Sequence, residues 1–332
     1  MRRRTLLLAA LPAAGLCPLV GCDHNESPSS RTSPSTVPAT SPPPPPKIVD
    51  GPLPAITAGT RFGEKPTVAK GPGEPSKDLA VRTVIAGSGP IAAANDYTQV
   101  NFLGQIWATA KVFDNSYDDK TPVFVQLAQG GVVASWRYAL TGKKAGSRVE
   151  FSVPPTWGFG TQGNPQEGIK GSDTLVFVVD LEATFNSKSS AHGKAVAQND
   201  AALPKVGTNT DGKAPAIDVP KTAAPNKLVS AYVLEGDGPE IKANSTVLVQ
   251  YKGVLWDTGK EFDSSYSKNA LTSFSLQQVV KGWAVGLKGK KTRSRLLLVV
   301  PPDLGYGSSP PPGSPITKDS TLVFSVDILA AA

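Results

Sequence analysis

The segment from residue 249 to residue 324 carries aromatic rings, a carboxylate and phenol hydroxyls at short spacings. Phe262-Asp263-Ser264-Ser265 follows a glycine turn and places the carboxylate directly beside a ring. Trp283 lies in a run of helical periodicity, and Tyr306 follows a Pro-Pro pair. Such a set suits an apolar pocket with a few polar groups that orient a bound carbonyl.

Other kinds of chemistry lack the residues that they need. The two histidines, His24 and His192, lie in polar segments, and the two cysteines, Cys17 and Cys22, lie near the N-terminus. Neither a metal site nor a disulfide framework can be assembled from them, and no Ser-His-Asp triad is readable. The formal net charge is +7, but the sequence contains no basic cluster with interleaved aromatics. We therefore expect no metal, no cofactor and no nucleic-acid partner.

The order of these motifs resembles that of a known family. The motifs are Tyr251-Lys-Gly253, Phe262-Asp263-Ser-Ser, Val279-Val280-Lys-Gly-Trp283, Tyr306-Gly307 and Leu322-Val-Phe324. Their order and spacing resemble the FKBP family of peptidyl-prolyl cis-trans isomerases. One departure is Ile316-Thr317, where the family has Ile-Pro, and the Pro-rich loop over 308–315 lacks a His that some members carry.

The resemblance implies a reaction in which no bond has to break. Rotation about an X-Pro amide is slow because the C–N bond has partial double-bond character, with a barrier of about 18–20 kcal/mol. An enzyme needs only to bind the twisted amide better than the planar forms. Since the twisted amide has lost resonance and its carbonyl carries less charge, a nonpolar site stripped of water favours it.

The resemblance also assigns roles to ten residues near the C-terminus. Trp283 would form the pocket floor under the proline ring. The Tyr306 hydroxyl and the Val280 N–H would donate to substrate carbonyls, and Asp263 would sit at the pocket edge near Tyr251. The walls would be formed by Tyr251, Phe262, Phe274, Val279, Val280, Ile316 and Phe324. Taken singly, each of these residues also fits a structural role as a core anchor or a turn cap, and it is their joint order that favours a pocket.

The same motifs occur twice in the chain. Gly89 matches Gly238, at an offset of 238 − 89 = 149 residues, and Phe113-Asp114 matches Phe262-Asp263 at the same offset. Beyond Gly130-Gly131 the offset becomes 283 − 136 = 147 and stays constant. A register that is kept with a single two-residue shift indicates a duplicated domain.

The first copy lacks two hydroxyls. Phe102 and Phe159 stand at the places of Tyr251 and Tyr306. We expect Asp114 to lose a hydrogen-bond partner, and such a bond is worth about 1.5–3 kcal/mol. The first copy should therefore offer a proline-binding cleft with weak or no isomerase activity. Its cleft residues are Phe102, Phe113, Asp114, Phe124, Val132, Val133, Trp136, Phe159, Ile169 and Phe177.

Each copy is predicted to contain several strands and one short helix. Strand-like patterns cover, for example, residues 79–85 and 246–256, and the period becomes helical between residues 277 and 287. Strands with one helix lying across them give an α+β class with an antiparallel sheet. The resemblance implies the same, namely two FKBP-like domains, each a curled antiparallel half-barrel sheet around one short helix.

The N-terminus predicts export. Met1-Arg-Arg-Arg4 is a positively charged start, and residues 5–20 form an apolar stretch too short and too interrupted by prolines to span a bilayer permanently. Leu19-Val20-Gly21-Cys22 resembles a bacterial lipobox, which implies a signal peptide over 1–21 and a lipid anchor on Cys22. An ordinary secretory signal cut elsewhere is the alternative, and a twin-arginine route is also open. Either way we expect an extracytoplasmic protein, and the lipobox favours a membrane-anchored lipoprotein.

Composition sets the remaining boundaries. Residues 22–77 are rich in Ser, Thr, Pro and Gly, which predicts an unstructured tether, although the proline run over 42–46 also fits a docking ligand. The first FKBP-like domain is expected over 78–185 and the second over 226–330. The polar stretch over 186–225 is predicted to be a linker that leaves the domains free to move independently.

These features together predict a tethered prolyl isomerase that assists the folding of exported proteins, with catalysis mainly in the C-terminal domain. Its partners would be X-Pro-containing polypeptides and the membrane, and we expect a monomer. The alternative hypothesis is a non-catalytic chaperone or adaptor that binds proline-containing segments. The family pocket would also admit macrolide inhibitors such as rapamycin.

Overall fold

The computed structural model describes residues 44–128 and 133–332. The expected signal peptide, the lipidation site Cys22 and Val132 lie outside these residues. Within the two described ranges, no helix has the length and apolar character needed to cross a membrane. Nor do the same ranges bring three or more His, Cys, Asp or Glu side chains together as a metal site.

The first half of the described chain, residues 44–185, contains nine strands and one α-helix. The strands are β1 (Ile48–Val49), β2 (Ile56–Ala58), β3 (Thr67–Val68), β4 (Leu79–Ile85), β5 (Tyr97–Ile106), β6 (Val112–Asn115), β7 (Val123–Gln126), β8 (Ser147–Val153) and β9 (Leu175–Phe185). The helix α1 covers Val133–Leu140, and short 3-10 turns cover Pro155–Trp157, Gly160–Gln162 and Pro165–Glu167.

The second half, residues 186–332, repeats this series. Its strands are β10 (Lys194–Ala195), β11 (Lys205–Val206), β12 (Ile217–Asp218), β13 (Val229–Glu235), β14 (Thr246–Leu255), β15 (Glu261–Ser264), β16 (Thr272–Ser275), β17 (Ser294–Val300) and β18 (Leu322–Ala331). The helix α2 covers Lys281–Leu287, and a 3-10 turn covers Pro302–Leu304.

Each half forms one open sheet with a short helix against it. The strand order is β1-β4-β8-β9-β5-β6 in the first half and β10-β13-β17-β18-β14-β15 in the second, with β7 on β5 and β16 on β14. All of these pairings are antiparallel except β1 with β4. Gly282 lets α2 approach its sheet closely, because a Cβ atom there would lie 2.4 Å from a Val300 methyl carbon. The predicted α+β class with two similar domains is confirmed.

The prediction of an unstructured tether is wrong for residues 44–77, which we call the first arm. In this arm β1 extends the sheet edge at β4, and β2 pairs with β3. Val68 is buried against Leu103, Trp107 and Val176 on the sheet face opposite to α1. The arm is ordered because it covers an apolar face that would otherwise meet water.

The predicted linker over 186–225, which we call the second arm, likewise covers an apolar sheet face in the second half. In this arm β10 pairs with β13 at the sheet edge, and β11 pairs with β12. Val206 is buried in one cluster with Val254, Trp256 and Leu297 of the sheet. The folded units therefore begin well before the domain starts that were predicted at residues 78 and 226.

The two arms are copies of each other apart from their edge strands, since β1 runs parallel to β4 and β10 runs antiparallel to β13. Gly63-Glu-Lys-Pro66 matches Gly212-Lys-Ala-Pro215 at an offset of 215 − 66 = 149, the offset of the domains themselves. The indole Nε1 of Trp107 donates to the carbonyl of Gly73 at 3.0 Å, and Trp256 donates to Thr222 at the same distance. The repeated unit is therefore an arm followed by a domain.

The two halves also contact each other, which corrects the expectation that the domains move independently. The amide Nε2 of Gln99 donates to the carbonyl of Ala331 at 3.1 Å. Around this bond lies an apolar cluster from both halves. Its members are Tyr97, Phe124, Phe185, Leu248, Leu271, Leu329, Ala330 and Ala332.

Candidate functional site

An aromatic cluster lies between α2 and the sheet of the second half. Trp283 on α2 meets the ring of Tyr251 on β14 at a centroid distance of 5.6 Å and that of Phe324 on β18 at 5.3 Å. Phe274 on β16 lies 5.5 Å from Trp283. All three contacts are edge-to-face, the arrangement that aromatic quadrupoles favour, and together they fix the orientation of the indole.

The rim of this cluster is only half-buried. Phe262, Val279, Val280 and Tyr306 pack against the buried rings, and Ile316 is itself buried. The structure thus brings nine of the ten expected residues into one apolar cluster, and the tenth, Asp263, is bonded to it. The half-buried side chains form the surface that a ligand could reach.

Asp263 is held in place by three donors. The Tyr251 hydroxyl donates to Oδ2 at 2.7 Å, while Lys268 Nζ and the Ser264 N–H donate to Oδ1 at 2.5 Å and 2.8 Å. Lys268 is absent from the residues predicted above, although its place in the turn five residues after Asp263 could have identified it. The carboxylate is therefore fixed at the edge of the aromatic cluster.

Two phenol hydroxyls of the site are protonated donors at neutral pH. Burial, followed by the bond to Asp263, raises the pKa of Tyr251 far above its ordinary value. Burial, with a smaller contribution from the Asp263 charge, also raises the pKa of Tyr306. Tyr306 is only half-buried in the rim, so its hydroxyl can donate to a ligand.

A backbone donor lies at the start of α2. Val280 is the N-cap residue, with φ −57° and ψ 146°. The N–H groups at a helix start have no intrahelical acceptor, and they carry the positive end of the helix dipole. The Val280 N–H is therefore suited to bind a carbonyl oxygen above the cluster.

A glycine makes room for the rings. A Cβ atom on Gly253 would lie 2.6 Å from the ring of Phe262 and 2.9 Å from that of Phe324. Neither ring can retreat, since they also pack against each other at 5.4 Å. The Tyr-x-Gly spacing on β14 is thus a steric requirement of this site.

The first half contains a related but different cluster. Trp136 on α1 lies edge-to-face with Phe102 at 5.4 Å, Phe177 at 5.2 Å and Phe151 at 5.8 Å. The Phe151 ring has no equivalent in the second half, where the counterpart of Phe151 is Leu298 (298 − 147 = 151). Ile169 is buried here too, with Phe113 and Phe159 packed against the cluster. Asp114 is on β6, as Asp263 is on β15.

Phe124 does not belong to this cluster, which corrects its predicted place in the cleft. Thr98 pairs with Val125 in the β5–β7 ladder, whereas the matching Val247 pairs with Phe274 in the β14–β16 ladder. The counterpart of Phe274 is therefore Val125, one residue later. Because successive strand residues face opposite sides, Phe124 lies instead in the contact between the halves.

The site of the first half departs at four places. Phe102, Phe159 and Val125 replace Tyr251, Tyr306 and Phe274. Asp119 stands where Lys268 does (268 − 149 = 119), so the cation beside the carboxylate is replaced by an acid. Val133 is the first residue of α1; its side chain, like Val132, lies outside the described structure. The groups that hold and surround Asp263 are thus specific to the second half.

Comparison with known sequences places both copies in one family. The profile of the family described as FKBP-type peptidyl-prolyl cis-trans isomerase matches residues 89–182 and 238–329. The isomerase FkpA of Escherichia coli K12 is 47% identical over 102 residues, covering 31% of this chain and 37% of that protein. The FK506-binding protein of Streptomyces anulatus is 38% identical over 118 residues, covering 35% of this chain and 95% of that protein. The chain therefore matches little more than a third of the length of FkpA.

Two solved structures are similar to parts of this chain. The crystal structure of FkpA from Escherichia coli is 44% identical, with a TM-score of 0.29, and covers 31% of this chain and 47% of that one. The three FKBP domains of wheat FKBP73 are 17% identical with a TM-score of 0.31, covering 76% of this chain and 94% of that one.

Proposed function

Because this chain belongs to the FKBP-type peptidyl-prolyl cis-trans isomerase family, we propose that it isomerises X-Pro bonds, mainly in its C-terminal domain. The observation that carries this proposal is the set of hydrogen bonds that fixes Asp263 beside Trp283. In the N-terminal domain, Phe102 and Asp119 take the places of the Tyr251 and Lys268 donors.

The site would act by binding the twisted amide. The proline ring lies against Trp283 with Phe324 and Phe262 beside it, in a surface from which it displaces water. The Val280 N–H and the Tyr306 hydroxyl orient the carbonyls that flank the reacting bond. The twisted amide, with its reduced carbonyl charge, is bound more tightly than either planar form, which lowers the barrier without covalent chemistry.

A matched pair of variants tests the assignment. Asp263→Asn and Asp114→Asn are made in the chain that follows the leader, and kcat/KM is measured on a proline peptide. We expect Asp263→Asn to lower kcat/KM about tenfold, the effect of about 1.4 kcal/mol in the transition state, and Asp114→Asn to change it less than twofold. Equal losses, or a larger loss from Asp114→Asn, would contradict C-terminal catalysis.

We place the protein outside the cytoplasm, held on the membrane by a lipid on Cys22. This rests on the lipobox-like Leu19-Val20-Gly21-Cys22 and the short apolar leader. The clients would then be exported polypeptides that fold after translocation. Cys22→Ala should move the protein from the membrane fraction to the soluble fraction, and retention in the membrane fraction would contradict the anchor.

The N-terminal domain is a second, non-catalytic candidate site for proline-containing segments. The half-buried rings of Phe113 and Phe159 leave apolar surface there, while the counterparts of both site tyrosines lack hydroxyls. Phe159→Ala in the Asp263→Asn chain should weaken binding of a proline-rich peptide in a fluorescence titration. Unchanged binding would exclude this role. The C-terminal rings would also accept a macrolide of the FK506 type, and a titration monitored by tryptophan fluorescence, with Trp283→Phe as the control among the five tryptophans, tests this.

A further inference from the structure

The second arm is hydrogen-bonded to the back of the candidate pocket through Gln250. This residue precedes Tyr251 on β14 and faces the opposite side of the sheet. Its Nε2 donates to the carbonyl of Ser187 in the arm at 2.7 Å, and its Oε1 accepts a bond of 2.5 Å from the Ser265 hydroxyl. Both Gln250 and Ser265 are fully buried, with no exposed side-chain surface to exchange these partners for water.

Ser265 connects this bond to the pocket. Its hydroxyl accepts from the Tyr251 N–H at 2.8 Å, and its own N–H donates to the Tyr251 carbonyl at 3.0 Å. Ser265 lies two residues after Asp263, which bonds to the Tyr251 hydroxyl. The arm carbonyl, Gln250, Ser265 and the Tyr251–Asp263 pair thus form one continuous hydrogen-bonded chain across the sheet.

A second connection runs through a buried ion pair. Arg295 Nη2 donates to Asp327 Oδ2 at 2.7 Å, and neither side chain is exposed. The arm completes this pair, since Arg295 Nη1 donates to the carbonyls of Gly207 and Asn209 and the Ala191 N–H donates to Asp327. Tyr266, next in sequence to Ser265, also donates to Asp327 at 3.4 Å. The end of β15, which carries Asp263, is therefore supported through the two residues that follow the strand.

The first half lacks the Gln250 connection. Its counterpart is Asn101 (250 − 149 = 101), which is one methylene shorter. Asn101 still accepts from the Ser116 hydroxyl, at 2.8 Å, but its Nδ2 donates to the Glu182 side chain of β9. The ion pair of Arg148 with Asp180 is bonded to the first arm as Arg295 is to the second. Only the bond from Gln250 to Ser187 thus accompanies the fuller set of pocket groups.

We propose that the second arm is a positioning element for isomerisation, which acts through Gln250 and Ser265 on Asp263. The proposal rests on catalysis in the C-terminal domain as proposed above. A half-buried carboxylate near the end of an edge strand is free to shift unless it is held, and a fixed acceptor at the rim is useful only if its position is set before substrate binds. The arm sets it from the far side of the sheet, and it lies outside the family match that begins at residue 238.

The variant Gln250→Asn isolates the connection. Asparagine keeps the bond to Ser265 but does not reach Ser187, and the Asn101 arrangement indicates that the site accommodates it. In the chain that follows the leader we expect kcat/KM to fall about three- to tenfold, which corresponds to one lost hydrogen bond. The loss should lie in kcat with KM unchanged. Asn101→Ala is the matched control in the N-terminal domain and should leave both constants within twofold.

A double-mutant cycle separates positioning from loss of stability. If Gln250 acts through Asp263, Gln250→Asn added to Asp263→Asn should lower kcat/KM by less than a further twofold. Losses that multiply would overturn the proposal. Val206→Ala, which loosens the arm at Val254, Trp256 and Leu297 and leaves Gln250 and Ser187 unchanged, should show the same non-additivity. Val68→Ala in the first arm is its control. Rates are measured well below the unfolding temperature of each variant.

The outcomes distinguish this inference from the proposed function. If Asp263→Asn leaves kcat/KM unchanged, C-terminal catalysis by this group fails, and the positioning role fails with it. If Asp263→Asn lowers kcat/KM and Gln250→Asn does not, only the role of the arm is overturned.

Discussion

The hydroxyl of Tyr251 donates a 2.7 Å hydrogen bond to Oδ2 of Asp263, across the edge of the aromatic cluster. This bond fixes the carboxylate, and burial followed by the bond to Asp263 raises the pKa of Tyr251, so the phenol stays a donor. The duplicated domain cannot form it, because Phe102 carries no hydroxyl. The divergence of the two copies is therefore concentrated at the pocket edge, while the cores that support it remain alike.

Removing this hydroxyl should impair the reaction more than the fold. We predict that Tyr251→Phe lowers kcat/KM about three- to tenfold, because a hydrogen bond to a charged group that is worth about 1.5–3 kcal/mol is lost and only part of it is expressed in the transition state. Isomerisation kinetics on a proline peptide measure the change. Tyr138→Phe on α1, outside both sites, is the control and should have no effect. An unchanged kcat/KM in Tyr251→Phe would contradict a role for the Tyr251–Asp263 bond in the reaction.

Glu150 on β8 is a buried carboxylate that costs stability. It pairs with Arg82, but its Oε1 has no hydrogen-bond partner within the described residues, and burial raises its pKa. Leu297 stands at this place in the second half (297 − 147 = 150). We predict that Glu150→Leu raises the free energy of unfolding at pH 8 by about 1–2 kcal/mol.

The gain from Glu150→Leu should depend on pH with a defined sign. A carboxyl whose pKa is raised on folding favours the folded state when it is protonated, and this contribution is lost as pH rises. The stabilisation by leucine should therefore be largest at pH 8 and shrink as the pH is lowered through the raised pKa of Glu150, as measured by denaturant unfolding. A variant that is less stable than the parent at pH 8 would contradict this account of Glu150.

The contact between the halves should depend on Phe124. Its counterpart is Ser273 (273 − 149 = 124). Phe124→Ser therefore replaces the ring with the residue that the second half already has at this position. We predict that calorimetry changes from one coupled unfolding transition to two, because the apolar contact between the halves is weakened. Leaving a single transition unchanged would show that Phe124 supports its own domain only.

The second arm should be required for the stability of the C-terminal domain. We predict that a fragment of residues 226–332 is less stable than one of residues 186–332 by about 3 kcal/mol or more. Buried Val206 alone contributes about 1.5–3 kcal/mol, and Arg295 would lose its arm acceptors. Urea unfolding of the two fragments measures the difference. Equal urea midpoints for the two fragments would show that the second arm is only a linker.

The core strands and the site could be predicted from the sequence, whereas the arms could not. Rings at fixed spacing in two copies indicated Trp283, Tyr251 and their neighbours, since the spacing of the motifs is kept between the copies. The arms are polar and rich in Pro and Gly, and they are ordered only by tertiary contact with the sheet. The sequence did contain one signal for the second arm. Leu296–Val300 are five apolar residues in a row, whereas a strand with one face in water alternates between apolar and polar residues. This run therefore indicates a strand that is covered on both faces.

The exact register of the strands also could not be predicted from the sequence. Phe124 and Val125 are adjacent, and composition favours the aromatic residue as the counterpart of Phe274. A strand reverses the faces of its side chains at every residue, so an error of one position moves a ring from the pocket to the opposite surface. Lys268 was not predicted because a turn lysine is usually solvated, and its place five residues after Asp263 was the one signal in the sequence for the bond that the structure shows.

The claim that catalysis belongs to the C-terminal domain is tested most directly by assaying the two units separately. Fragments of residues 44–185 and 186–332, each verified as folded by circular dichroism, are compared with the chain that contains both. We predict that fragment 186–332 retains at least half of the kcat/KM of that chain and that fragment 44–185 has less than about a tenth of it. Equal activity of the two fragments, or greater activity of 44–185, would contradict the account.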